Sequence, residues 1–533
     1  MGIPKLALLA LSLSAVLTAG DTRLIDAARS GAAARVRALL AQHVALTATD
    51  ADGSTALHYA AREGNGEIAG LLIAAGADVK AATRYNITPL SLACGNGDAA
   101  MIERLLKAGA DANATSEEGQ TALMTAALTG KVEAVKVLLA HGAKVNAQEP
   151  VKGQSALMWA ASEGNTAAAA LLAEFGADVR VKSKAGFTPL LFAVRNCHTE
   201  TVRLLLAHGA SANDAVPDGV IPSGVTALNV AVVNGCFETA AALLDQGADP
   251  NAPDARGSPL HTLAWLRKPG SDGGNGLGTR SYGPPLQSGK VSALELAKAL
   301  LEHGANPNAR YIYQEKIFTV EGGAAKNPPL IHLGRHLLTF SGATPFYLAA
   351  RNGDAPYMRL LAEHGADPKM PNVLGITPLI AAAGLDYWEG ESAGPYTGVS
   401  ETERLDAVEL AIALGNDINA AADFGDYRME GDPEYLLLYY PLNMNELAAK
   451  VPGDPRWSGS TALHAAVVSN QPSIVQYLVD QGAKLDAKTK SGWTPLMMCS
   501  GVFFANSKKD FPAAAAILKK AMAEKGMTAS SEQ

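Results

Sequence analysis

Gly390-Glu391-Ser392-Ala393-Gly394 has the letter pattern of a nucleophile elbow, where a serine sits between a strand and a helix. That chemistry needs a helix directly after the serine to support an oxyanion. Pro395 follows instead, and no strand-like run precedes the motif, so it reads as a glycine-rich acidic turn. His332 and His336 stand four apart, a spacing that puts two imidazoles on one helix face as metal ligands. Gly334 between them weakens a helix, and no third ligand accompanies them. Asp50-Ala51-Asp52-Gly53 begins like a calcium loop, but Ala61 stands at the twelfth position, where a bidentate Glu belongs. Zincin, CxxC and phosphate-loop motifs are absent. These residues point to a chain that is not an enzyme and uses no metal or cofactor.

The elements that position these groups come from a repeat. A Thr/Ser-Pro/Ala-Leu tripeptide, with Phe for Leu once, opens at Thr55, Thr88, Thr121, Ser155, Thr188, Thr226, Ser258, Thr344, Thr377, Thr461 and Thr494. Most openings lie 32–34 residues apart. Gly-Ala recurs in register, at Gly76, Gly109, Gly142, Gly176, Gly209, Gly247, Gly304, Gly365 and Gly482. Each unit reads as two short helices. Thr55 caps the first, Leu57, Ala60 and Ala61 face inward, Gly64 turns the chain, and Gly76 ends the second helix. Such a unit cannot bury its apolar face alone and must stack on copies of itself.

Thr55-Ala-Leu-His58 and the Leu-Leu-x-x-Gly-Ala-Asp ending resemble the ankyrin repeat. The resemblance runs over about residues 21–526, apart from four inserts. It implies an all-α ankyrin-repeat solenoid of about 11 repeats plus an N-terminal capping repeat, of the exported bacterial type. It also implies a concave groove of fingers and first helices that binds another protein. The histidines after the opening tripeptide (His58, His261 and His464) are then expected to tie neighbouring backbones together. Groove positions in this chain include Phe187, Val225, Val233 and Trp265.

Two repeats are enlarged, each twice, with inserts at about 267–291, 310–341, 385–404 and 420–458. The first and third interrupt the turn between paired helices, and the others lengthen the finger. Together they span about a fifth of the chain yet hold 14 of its 30 aromatics, which directs attention there because aromatics anchor interfaces. Trp388, Tyr396, Tyr439, Tyr440 and Trp457 are the expected binding residues, with Phe187 and Trp265 in the groove. The inserts at 385–404 and 420–458 are each about −4 in charge, and the other two are positive. Acidic, aromatic segments leave open an alternative in which a carbohydrate or peptide ligand binds there. A second alternative has the inserts folding back as cladding.

Lys5, the apolar run Leu6–Leu17 and the small residues before Asp21 have the layout of a secretory signal peptide. The run is too short to span a bilayer core of ~30 Å. The expected organisation is a signal peptide at 1–20, a capping repeat at 21–52, repeats at 53–266, an enlarged repeat at 267–341, a repeat at 342–375, a second enlarged repeat at 376–458 and C-terminal repeats at 459–533. The expected location is periplasmic or secreted. A net charge of −8 argues against nucleic acid as partner, because phosphate binding needs clustered Lys and Arg. Of the four cysteines, Cys94 and Cys499 fall on first helices, as small buried apolar residues do. Cys197 and Cys236 share the inter-helix turn of adjacent repeats, and an oxidising compartment would pair them as a disulfide.

Overall fold

The computed structural model describes residues 21–217, 224–254, 257–267, 289–310, 342–385, 399–423, 458–490, 492–500, 502–504 and 507–527. They fall into two compact units, Met1–Ser211 and Ala212–Gln533. The first holds paired helices α1 (Arg23–Arg29) and α2 (Ala33–Ala41), α3 (Ala56–Arg62) and α4 (Gly66–Ala74), α5 (Pro89–Asn96) and α6 (Ala99–Lys107), α7 (Ala122–Leu128) and α8 (Val132–Ala140), α9 (Ala156–Glu163) and α10 (Thr166–Glu174), and α11 (Pro189–Arg195) and α12 (Thr199–Ala207). In the second unit α13 (Ala227–Val233) pairs with α14 (Phe237–Asp245), α15 (Pro259–Arg267) with α16 (Ala293–Glu302), and α17 (Pro345–Arg351) with α18 (Ala355–Glu363). There follow α19 (Pro378–Ala382) with α20 (Glu401–Ala413), α21 (Ala462–Val468) with α22 (Pro472–Asp480), and α23 (Pro495–Cys499) with α24 (Pro512–Glu524).

Helices of seven to nine residues are marginal in water on their own. Within each unit, first helices stack on first helices and second on second. Their facing positions are Ala and Leu: Leu57, Ala60 and Ala61 on α3, and Leu123, Ala126 and Ala127 on α7, are all buried. The opening Thr or Ser has extended backbone and caps the first helix. The Thr88 hydroxyl accepts the Ser91 amide at 3.2 Å, and that of Thr344 accepts the Tyr347 amide at 3.1 Å. Where the third helical residue is histidine, the ring completes the cap and reaches the next finger. His58 Nδ1 accepts the Thr55 amide at 3.1 Å, which leaves Nε2 to donate to the Ile87 carbonyl at 3.0 Å. His261 does the same between Ser258 and Ala343, and His464 between Thr461 and Trp493. The backbone-tying role implied by the resemblance is thus what these three rings do.

An asparagine ladder joins successive repeats. Asn146 Nδ2 donates to the Gly176 carbonyl at 3.0 Å, while its Oδ1 accepts the Asp178 amide at 2.8 Å. In the second unit Asn308 does the same to Gly365 and Asp367, 57 and 59 residues on. The ladder therefore continues between these two repeats.

Two details depart from the sequence reading. Helix α20 begins at Glu401, inside the stretch taken as the 385–404 insert. Ser400 caps it, and Glu403 reaches back in a capping box, a Ser-x-x-Glu signal present in the sequence. The extra residues before Phe511 hold an antiparallel pair, β1 (Val502–Phe504) with β2 (Ser507–Lys509), between α23 and α24. The all-α stack carries this one small hairpin among the described residues. No helix among them is long and apolar enough to cross a membrane.

Candidate functional site

The finger and first-helix face of the first unit is open. The fourth residue after each opening Thr or Ser forms a row: Tyr59, Leu92, Thr125, Trp159 and Phe192. The last four are half-buried. Beside this row, Tyr85 and Val151 stand at finger tips with 51% and 63% of their surface exposed, and Leu128 ends α7 at 39%. Exposed large apolar side chains make these repeats the candidate contact surface. Phe187 joins the patch, half-buried, with its ring centroid 5.9 Å from that of Phe192. This sequence-predicted groove residue is therefore partly exposed.

The patch has charged ends. Arg29 and Arg62 lie over the Tyr59 ring at 4.4 and 4.6 Å, and Arg29 donates to the Tyr59 hydroxyl at 2.6 Å. Tyr59 in turn donates to Asp50, whose other oxygen accepts the Asp52 and Ser54 amides. Those bonds show what the calcium-like Asp50–Gly53 stretch does: its carboxylates hold a finger turn. Hydrogen bonding with Asp50 and Ser54 keeps the Asp52 carboxyl well below its usual range. Arg84 covers the Tyr85 ring at 4.9 Å.

The second unit differs. Trp265, expected in an accessible groove, is only 3% exposed, and the Arg351 guanidinium lies 5.4 Å from its ring. Val225 is 2% exposed, while Val233 is half-buried. Trp265 and Val225 are interior residues, so Trp265 is corrected from a contact residue to a packing residue. Its neighbours form a buried polar cluster. Arg267 makes two bonds to Asp354, Nε–Oδ2 at 2.7 Å and Nη2–Oδ1 at 2.9 Å. Asn352 Nδ2 donates to the Ala264 carbonyl at 2.9 Å, and the Tyr357 hydroxyl donates to the Leu260 carbonyl at 2.8 Å. Burial pushes the Tyr357 hydroxyl far above its ordinary value.

Trp388, Tyr396, Tyr439, Tyr440 and Trp457 lie outside the described residues, as do His332, His336 and the Gly390–Gly394 turn. Cys94 and Cys499 carry free, buried thiols, each pushed up to about 12 by burial. Cys197 and Cys236 are disulfide-bonded. Cys197 has φ +60°, at the turn position where Gly64, Gly97, Gly130 and Gly164 have φ between +67° and +70°. A side chain in this left-handed region costs roughly 1–2 kcal/mol against glycine.

Sequence reasoning missed Tyr85, Leu128, Val151 and Trp159. Only Trp159 had a regular signal, four residues after its opening Ser155 like Leu92, Thr125 and Phe192 in their repeats; Tyr85 and Val151 lie on fingers and Leu128 at the end of α7, at offsets of their own.

Comparison with family models agrees with this architecture. A family model described as "Ankyrin repeats (3 copies)" matches residues 6–83, 90–183, 157–254 and 431–504, and a second, "Ankyrin repeat", matches 341–370. Over 178 residues the chain is 32% identical to the B-cell lymphoma 3 protein homolog of Mus musculus, covering 33% of this chain and 28% of that protein's length. Among solved structures, the human ASB11 ankyrin repeat domain is 28% identical, with 43% of this chain and 98% of that one covered at a TM-score of 0.38.

Proposed function

The chain belongs to the ankyrin-repeat family, and from that premise we propose that it is an extracytoplasmic scaffold that docks a partner protein on the finger and first-helix face of its first unit. Ankyrin repeats generally mediate protein–protein interaction. The observation that carries the proposal is the exposure of Tyr85, Leu128 and Val151 beside the half-buried Trp159, Phe187 and Phe192. Aromatic anchors in a desolvated centre supply most of an interface's affinity. Tyr85→Ser combined with Val151→Ser tests it. Both side chains are exposed, so melting should shift little, since surface changes are usually within about 0.5 kcal/mol. Capture of a stoichiometric partner from the native envelope fraction should weaken roughly 30-fold or more if the pair contributes about 2 kcal/mol. Undiminished capture by the folded double variant sinks this site.

The extracytoplasmic part of the proposal rests on the N-terminal pattern and the cysteines. A signal peptide ending at Gly20 delivers the chain to an oxidising compartment, where a Cys197–Cys236 disulfide persists. Support comes from Cys197 occupying a turn position that favours glycine, an expense that its sulfur explains. One peptide map under non-reducing conditions reads both expectations. It should begin at Asp21 and contain a Cys197 peptide linked to a Cys236 peptide. An intact Met1, or recovery of both thiols free, overturns the assignment.

A further inference from the structure

The finger before Ser155 is one residue longer than its neighbours in the first unit, and its tip is built differently. In three neighbouring tips an amide bonds back to the preceding tip: Arg84 to the Asp52 carbonyl at 3.0 Å, Glu117 to Tyr85 at 3.3 Å and Lys184 to Lys152 at 2.8 Å. Pro150 stands at that place and has no amide hydrogen to give. Its ring instead lies against Gly119, so close that a Cβ there would come within 2.1 Å of Pro150 Cδ. Glu149, 4% exposed, holds the longer turn. Its carboxylate accepts the Val151 amide at 2.7 Å and the Lys152 and Gln154 amides at 2.8 Å, work done in shorter tips by the Thr83 and Ser183 hydroxyls. The tip thus presents Val151 and Lys152 from a fixed turn. Charge sets this end of the face apart. Residues 144–154 and 178–187 carry Lys144, Lys152, Arg180, Lys182 and Lys184, all exposed. Against them stand Glu149, buried in its own turn, and Asp178, which accepts the Arg180 amide. Elsewhere in the unit Arg37 pairs with Glu67 and Lys107 with Glu103, but Lys144, Lys152, Lys182 and Lys184 form no ion pair among the described residues. The tip before Thr121 is the reverse, with Glu117 and Glu118 exposed and no Lys or Arg in 111–120.

We propose that the partner protein presents an acidic segment to the fingers at 144–154 and 178–187, with an apolar side chain against Phe187 and Phe192. The inference rests on the docking face proposed above and names the chemistry of what docks there. Charge complementarity carries it. In a chain of net charge −8, grouped cations without countercharge repel one another, and carboxylates from a partner relieve that repulsion. The amide of Lys184 bonds to the Lys152 carbonyl and its ammonium to the Pro150 carbonyl, so Lys152 and Lys184 stand on adjoining tips. Two aromatic rings 5.9 Å apart and half-buried give the segment an apolar seat in the same repeat as Lys182 and Lys184. A nucleic-acid strand fits less well, although it also uses cations and aromatic faces. Its backbone is negative at every step and would run from these two fingers onto Glu117 and Glu118, whereas a protein segment can change sign along its length.

Selection of a random-peptide display library on the immobilised full chain tests it. Enriched peptides should carry an excess of Asp and Glu together with a large apolar residue. Their binding to the full chain, read by fluorescence anisotropy, should weaken about tenfold or more when Lys152→Glu, Lys182→Glu and Lys184→Glu are combined. It should also weaken several-fold between about 50 and about 300 mM salt. Should the charge-reversed chain fail to fold, the same three positions changed to Gln decide, with a smaller loss expected. Glu117→Gln with Glu118→Gln should leave the affinity unchanged or raise it. Three results overturn the inference: no enrichment, enriched peptides without an acidic excess, or acidic peptides that bind the folded lysine variants as tightly as the parent. It falls equally if an oligo-dT of about 20 nucleotides binds through the three lysines while acidic peptides do not. Docking on this face is read separately, by partner capture with Tyr85→Ser and Val151→Ser, and can stand when the acidic preference fails.

Discussion

Asp354→Asn is expected to destabilise the second unit by about 3–5 kcal/mol, the usual result of removing one partner from a buried ion pair. Asp354 is 1% exposed in its side chain and Arg267 15%, so neither charge has much water to fall back on. The substitution is a narrow one. Asp354 also caps α18, its Oδ1 accepting the Tyr357 amide at 3.3 Å, and an asparagine oxygen can keep that bond. What is lost is the charge facing Arg267, which lies 87 residues earlier at the end of α15. Arg267 also lies over the Tyr357 ring at 5.6 Å, so a neutralised partner leaves a cation between an aromatic face and an amide. Because repeats interact with nearest neighbours, the loss should appear in the transition of the repeats opened by Ser258 and Thr344. Urea unfolding followed by hydrogen exchange locates it. Arg267→Met combined with Asp354→Leu should cost less than either single change, since apolar replacement of both partners removes the orphaned charge. A single Asp354→Asn change within about 0.5 kcal/mol of the parent would show that the pair contributes no more than an exposed one.

The architecture was legible because the repeat is local. Thr55, Gly64 and Gly76 each act within their own unit, as cap, turn and stop, and these roles depend on residue type and spacing alone. The histidine ties were legible for the same reason, with the ring at the third helical position and its carbonyl one finger away. Trp265 and Arg351 were not. Their offset from the opening residue matches that of exposed Arg62 and Leu128, so residue type and spacing do not tell them apart. Asp354 carried no visible mark either. It reads as an ordinary helix cap, and its ion partner lies beyond an insert and a whole finger. The aromatic content of the inserts drew attention away from the first unit, where the open patch is spread over fingers and helices as one residue per repeat. Ser400 and Glu403 show the opposite failure: their capping signal was present, but the acidic composition around them read as insert.

Stability of the second unit should also fall as pH drops from about 6.5 toward 4, before most carboxylates titrate. His261 and His464 are 1% and 0% exposed, and burial pushes both down to about 4. Both rings use Nδ1 as an acceptor, which protonation would abolish. The sign follows from proton counting. Below about 6.5 the unfolded chain protonates these rings while the folded chain does not, so acid favours unfolding. Each histidine should cost on the order of 2 kcal/mol by pH 5 and on the order of 3 kcal/mol by pH 4, with little further change below, where both states are protonated. Desolvation also lowers the His58 pKa in the first unit. Urea midpoints measured at several pH values between 7 and 4 read the slope. His464→Gln should start less stable at neutral pH and then lose less on acidification than the parent chain. If the parent's midpoint is flat from pH 7 to 5, or if the variant keeps the full slope, the buried rings are not the groups that respond. Protonating these rings breaks the cap of one repeat and its tie to the next finger together, so the acid response should begin at the interfaces of the repeats opened by Ser258 and Thr461.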